Sequence, residues 1–135
     1  LNVMVTSSWI LSKLSAEMAP FGVTPAQYNV LRILRGSHPA KMPCSEIGNR
    51  LLDRTPDVTR LLNRLEKVGL VSRERASYDR RVVQVGITDE GRELLKRLDP
   101  VVAACQDDVA AGLNDDELKL LSGLLDRMRR TQDGI

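Results

Sequence analysis

The stretch TPDVTRLLNRLEKVGLV (55–71), with SRERASYDRRVVQVGI (72–87) directly behind it, decides the fold. Thr55 is a good helix N-cap, Pro56 suits the first helical position, and Asp57 lies where the helix dipole favours an acid. Val58, Leu61, Leu62, Leu65 and Val68 recur at helical spacing as a buried stripe, and Gly69 is the stop. The pattern then changes. Segments 70–75 and 81–87 are short and β-rich, and 76–80 is a polar link, so a β-hairpin with a charged tip is expected.

Working upstream, 44–52 reads as a short helix with Ile47, Leu51 and Leu52 apolar. Leu52-Asp53-Arg54 is then a tight turn, and the two helices form a helix-turn-helix. Residues 36–43 read as a loop rich in Gly, Ser, His and Pro. Before it, Thr24-Pro25-Ala26-Gln27 is a capping-box start for a helix that buries Val30, Leu31, Ile33 and Leu34 and ends at Gly36. A first helix covers 1–18 and is broken by Pro20, Phe21 and Gly22. Downstream, Thr88-Asp89-Glu90 caps a long helix closed by Gly112, with a kink or break expected at Pro100. Asn114-Asp115-Asp116-Glu117 starts a last helix, whose Leu118, Leu121, Leu125 and Met128 make an a/d-type seam. The fold class is mainly α with a small β-hairpin wing.

At 135 residues the chain has the size of one compact domain. No apolar run approaches the roughly 20 residues of a membrane span, and no signal peptide is visible. Two cysteines, Cys44 and Cys105, are too few for a disulfide framework, which fits a reducing, cytoplasmic setting. Four aromatic residues argue against stacking on single-stranded nucleic acid. Residues 41–87 carry ten Lys/Arg against six Asp/Glu, whereas 88–135 carry seven against eleven. A basic middle and an acidic end suit one segment meeting a polyanion. The sole histidine, His38, lies in a loop. There is no phosphate-binding Gly loop, no Ser/His/acid set and no His/Cys cluster at metal spacing. Neither enzymatic activity, nor a cofactor, nor a metal is expected.

The polar face of helix 56–68 supplies the chemistry that remains. Thr55, Pro56, Asp57, Thr59, Arg60, Asn63 and Arg64 lie off the apolar stripe. Arg60 can pair bidentately with guanine, Thr59 can meet a thymine methyl or a phosphate, and Asn63 can reach adenine or a phosphate. Arg64 and Lys67 are better placed for the backbone. Asp57 would repel phosphate unless it met a cytosine amino group. The hairpin adds Arg73 and Arg75 on its first strand and Asp79-Arg80-Arg81 at its tip. A wing tipped with arginine can enter the minor groove, where narrow A/T tracts concentrate negative potential. An adjacent Asp can hold one arginine extended.

The segments GVTPAQYNVLRIL (22–34), SEIGNRL (45–51), TPDVTRLLNRLEKVGLV (55–71), DRR (79–81) and ITDEG (87–91) together resemble the MarR family of bacterial regulators, in order and spacing. The resemblance implies a single domain over 1–135 that works as a homodimer on double-stranded operator DNA. The winged helix-turn-helix would occupy 22–87, with helical dimerisation parts at 1–20 and 88–135. Leu94, Leu98, Leu118, Leu121, Leu125 and Met128 would form the dimer face. Arg81 would enter the minor groove with Asp79 orienting it, Arg80 being the other candidate. The resemblance further implies a repressor released by a small, often aromatic, ligand, with Trp9, Met18, Tyr28 and Arg32 as lining residues. Two alternatives stand beside it: a redox regulator using Cys44, and a winged-helix interaction module without DNA binding. Cys105, on an apolar helix face, reads as a buried small hydrophobe.

Overall fold

The computed structural model describes residues 1–51 and 57–133. Its elements are α1 (Asn2–Met18), a 3-10 turn (Ala19–Phe21), α2 (Pro25–Ser37), β1 (Met42–Pro43), α3 (Cys44–Arg50), α4 (Val58–Lys67), β2 (Val71–Arg75), β3 (Val83–Ile87), α5 (Asp89–Ala110) and α6 (Asp115–Asp133). The chain forms two compact units, Leu1–Val102 and Ala103–Ile135, divided within α5. No helix among the described residues is long and apolar enough to cross a membrane.

The expected starts of α2, α5 and α6 are made by the residues named for them. Gln27 N donates to Thr24 Oγ1 at 3.2 Å and Thr24 N donates to Gln27 Oε1 at 3.0 Å, a complete capping box. Asn114 and Glu117 make the same reciprocal pair at the start of α6. At α5, Thr88 Oγ1 accepts from Gly91 N and donates to the Gly69 carbonyl at 2.7 Å. One hydroxyl thus caps a helix and fixes the turn that ends α4. Gly69 itself has φ +81°, and Leu70 N donates back to the Leu65 carbonyl. That closure requires a left-handed residue, which glycine supplies without a Cβ penalty.

The core of the first unit lies between α2, α4, α5 and the sheet. Val30, Leu31 and Leu34 of α2, Ile47 of α3, Leu62 and Leu65 of α4, Val85 of β3, and Leu95 and Leu98 of α5 are all buried in it. Each buried aliphatic side chain contributes about 1.5–3 kcal/mol. The sheet is antiparallel in the order β1-β3-β2, with Val71 opposite Ile87 and Arg75 opposite Val83.

Several expectations are corrected. Segment 36–43 is not all loop: α2 continues to Ser37, and Met42–Pro43 pairs with β3. Gly36 costs a helix about 1 kcal/mol relative to Ala, too little to stop it, and a two-residue strand has no periodicity to read. Pro100 does not break α5, which runs through it. Leu98 and Val102 on either side are buried, and their packing holds the helix across the missing hydrogen bond. Leu94 and Leu98, expected at a dimer face, are 5% and 0% exposed in this chain's own core. Met18 and Tyr28 pack in the same core.

Candidate nucleic-acid interface

Helix α4 begins at Val58, with Asp57 as its N-cap: Asp57 Oδ1 accepts from Arg60 N at 3.2 Å. The start expected at Thr55 and Pro56, and the turn 52–54, lie outside the described residues. Asp57 is therefore engaged in ending the helix's unsatisfied N–H row. Thr59, Arg60, Asn63, Arg64 and Lys67 are all exposed, on the face opposite the buried Leu62 and Leu65. The amphipathic division of α4 is what sorts them: one face fills the core, so the other is entirely polar and half of it cationic.

The wing tip is closed by local bonds. Ala76 N donates to the Val82 carbonyl at 2.8 Å and Val82 N to the Asp79 carbonyl at 3.1 Å. Asp79 Oδ1 accepts from the Arg81 backbone N at 2.9 Å and from Arg81 Nε at 3.2 Å, and Oδ2 accepts from Nη2 at 3.1 Å. This fork-on-carboxylate geometry fixes the guanidinium plane while 91% of the side chain stays exposed. The Arg81 bonds hold the Asp79 carboxyl below the usual carboxylate range. Arg80 is exposed as well.

The two strand arginines behave differently from the expectation that grouped them with the tip. Arg73 Nη2 donates to Glu66 Oε1 of α4 at 2.9 Å and Arg73 is half-buried. That pair lowers the Glu66 carboxyl and raises the Arg73 guanidinium. Arg75 Nη1 donates to the Arg80 carbonyl at 2.7 Å. Both arginines brace the wing, one against α4 and one under its tip. The partner Glu66 was not singled out from sequence, because a contact seven residues apart across a turn follows neither the helix nor the strand period. A second brace was equally hidden. Lys41 Nζ meets Glu74 Oε1 at 2.6 Å, and its alkyl chain lies over Gly86, where a Cβ would come within 3.2 Å of Lys41 Cγ.

A cleft of about 400 Å3 gathers Thr59 of α4, Cys44 and Ser45 of α3, and Arg73 and Arg81 of the wing. The helix face and the wing tip thus border one surface. Cys44 is half-buried there; burial pushes its thiol up, opposed by Arg73. A raised thiol holds little thiolate at neutral pH, which disfavours oxidant sensing. Cys105 is buried. Of the residues named for a ligand, Trp9 and Arg32 are exposed, with Arg32 Cζ 5.9 Å from the Tyr28 ring centroid. The Tyr28 hydroxyl donates to Asp99 Oδ1 of α5 at 3.2 Å, and Arg35 Nη1 donates to Asp99 Oδ2 at 2.6 Å. Among the described residues no group of three or more His, Cys, Asp or Glu could hold a metal.

The MarR family model matches residues 21–82, the span from the end of the 3-10 turn through the wing tip. YkoM of Bacillus subtilis (strain 168), described as an uncharacterized HTH-type transcriptional regulator, is 35% identical over 77% of this chain and 66% of its own length. A MarR transcription factor from Planctomyces limnophilus is 37% identical in its crystal structure, with a TM-score of 0.74 covering 92% of this chain and 90% of that one. The S. aureus MepR–DNA complex shares the fold, with a TM-score of 0.88 at 21% identity over 96% and 95% of the two chains. The α3–α4 pair, the arginine-tipped wing and these likenesses agree, and the chain belongs to the MarR family of transcriptional regulators, not to a family of enzymes.

Proposed function

We propose that the protein binds double-stranded operator DNA as a homodimer, reads sequence with α4 in the major groove and with the wing in the minor groove, and represses transcription until a small aromatic ligand releases it. On this reading Thr59, Arg60 and Asn63 meet base edges, Arg64 and Lys67 meet phosphates, and residues 22–87 carry the DNA-contacting part. The single observation that carries the reading is the wing tip. An arginine that is 91% exposed yet held along one edge of its guanidinium, Nε and Nη2, by Asp79 is preorganised for a partner outside the chain. A narrow groove of negative potential is the partner that such a tip fits. Ligand release draws its support from Trp9 and Arg32, an aromatic and a cationic side chain, both exposed.

Selection from a random duplex pool, followed by mobility shifts of the selected and a scrambled duplex at several salt concentrations, tests it. Enrichment of a palindromic site, bound more tightly than the scrambled duplex and with a negative salt slope, is expected. A pool that yields neither enrichment nor shift would overturn the reading in favour of an interaction module.

A further inference from the structure

Asp99 of α5 is met by a set of donors on α2. Arg35 Nη1 donates to Asp99 Oδ2 at 2.6 Å, Arg35 Nη2 donates to Oδ1 at 3.3 Å, and the Tyr28 hydroxyl donates to Oδ1 at 3.2 Å. A guanidinium fork joined by a phenol is a carboxylate receptor, and the chain fills it with its own side chain. The receptor is open to exchange. The Arg35 and Asp99 side chains are 33% and 42% exposed, so solutes reach the pair. Arg32, also exposed, stands with its guanidinium carbon 5.9 Å from the Tyr28 ring centroid. The Asp99 carboxyl is held below the usual range first by its Arg35 bonds, and Arg32 adds to this. Two arginines against one carboxylate leave positive charge for a second anion. An exposed guanidinium over one ring can also take another ring beside it. Pro100 follows Asp99 directly and has no N–H, so the Lys96 carbonyl loses its helical partner there. The Asp99 bonds, with the burial of Leu98 and Val102, hold α5 across that gap.

We propose that Asp99 is an internal competitor for a small aromatic carboxylate, which takes Arg35 and the Tyr28 hydroxyl from Asp99, packs its ring on Arg32, and so unties α5 from α2. This rests on the ligand-release reading above and gives it chemistry: the ligand is an anion, and the group it displaces is Asp99. A carboxylate fits because the receptor already grips one on both oxygens. A ring fits because Arg32 and Tyr28 already form a cation–aromatic pair. The consequence has a direction. Helix α5 runs from the first unit's core into the second unit, so loosening its polar tie leaves α4 and the wing whole. Binding to an isolated half-site should survive, and binding to the full palindrome should not.

Benzoate, benzamide and acetate serve as probes of the parent, Asp99→Asn and Asp99→Glu. Calorimetry reads their binding, and mobility shifts on the palindrome and on a half-site read release. Asp99→Asn keeps an oxygen for the Tyr28 hydroxyl and removes the competing charge. Benzoate should bind this variant at least about tenfold more tightly than the parent, as expected where an internal group leaves under about a tenth of the receptors free. A merely structural role for Asp99 would not make its loss a gain in affinity. Asp99→Glu restores a competitor and should bind benzoate like the parent. Benzamide has the ring without the charge and acetate the charge without the ring, so both should bind more weakly than benzoate. Equal benzoate affinity in the parent and Asp99→Asn, or benzamide binding as well as benzoate, would overturn the proposal. A gain in Asp99→Asn with every duplex still bound at saturating benzoate would leave the exchange at Arg35 standing and overturn ligand release, which separates the two failures.

Discussion

Under the proposed function Arg81 and Arg60 would carry charge to DNA in different ways, and their removal should differ accordingly. Arg81 is solvated in the free protein, so Arg81→Ala should leave the fold unchanged and act only when DNA is present. The loss should be larger on sites with A/T-rich flanks than with G/C-rich ones, and the salt slope should fall by about 0.9. Asp79→Ala frees the arginine without deleting it and should show a weaker form of the same effect. Mobility shifts on the two flank types check this, and equal losses on both would remove the minor-groove role. Arg60→Ala, by contrast, should cost about 1–3 kcal/mol on the selected site and little on scrambled DNA, as a lost base contact does. Equal losses on both would assign Arg60 to phosphates. The pairing of Asp79 with a tip arginine was legible in the sequence because it is local, but the choice of Arg81 over Arg80 depends on the turn that brings the Arg81 N–H and guanidinium onto the carboxylate. The engagement of Arg73 by Glu66 was not, since it depends on how β2 returns along α4.

At the level of elements, the junction of α4, the wing and α5 is held by close approach. A Cβ on Gly91 would stand 2.4 Å from the Leu70 carbonyl oxygen and 2.7 Å from Ile87 Cγ1. The oxygen belongs to the backbone and cannot swing aside. In a helix, Gly→Ala alone should stabilise by about 0.8–1 kcal/mol. Gly91→Ala should instead destabilise, by about 1–3 kcal/mol as overpacked sites do, and the sign of the change in urea midpoint decides between the two. The start and stop signals of these elements could be read because each is chemical and short in range: Thr24 with Gln27, Asn114 with Glu117, Gly69 with its positive φ. What could not be read depends on distant partners. Strand β1 exists only because β3 offers it a free edge, and α5 passes Pro100 only because neighbouring leucine and valine are buried. The same burial removed Leu94 and Leu98 from the surface, where an apolar stripe alone could not tell core from interface.

Across the whole molecule, two features lie outside α4 and the wing. The first is polar. Arg35 of α2 holds the Asp99 carboxyl of α5 below the usual range, helped by the Tyr28 hydroxyl. A lowered folded value means that the unfolded chain takes up a proton first on acidification. The stabilisation is therefore complete above about pH 4, the unfolded carboxyl value, and is lost as pH falls through the lower folded one. Asp99→Asn should unfold at lower urea than the parent at pH 7, with the gap closing toward pH 2; a constant gap would deny the ion pair any role. The second feature is apolar. On α6, Leu121, Leu124 and Met128 recur on one stripe at 44%, 44% and 60% exposure, with Leu120 beside them at 63%. Met4 and Trp9 of α1 are exposed in the same way. A stripe of this kind is costly to leave in water, and under the proposed function a second copy would cover it and give two DNA-reading units a two-fold relation on a palindromic site. Leu121→Asp combined with Leu124→Asp places two charges on the stripe without touching the first unit's core. Sedimentation at micromolar concentration should show a dimer for the parent and a monomer for the variant. Affinity for a full palindrome should collapse, while affinity for an isolated half-site stays near parental, because each head still carries its own α4 and wing. A variant that remains dimeric would place the interface elsewhere, and a parent that sediments as a monomer would leave the stripe without the role argued for it.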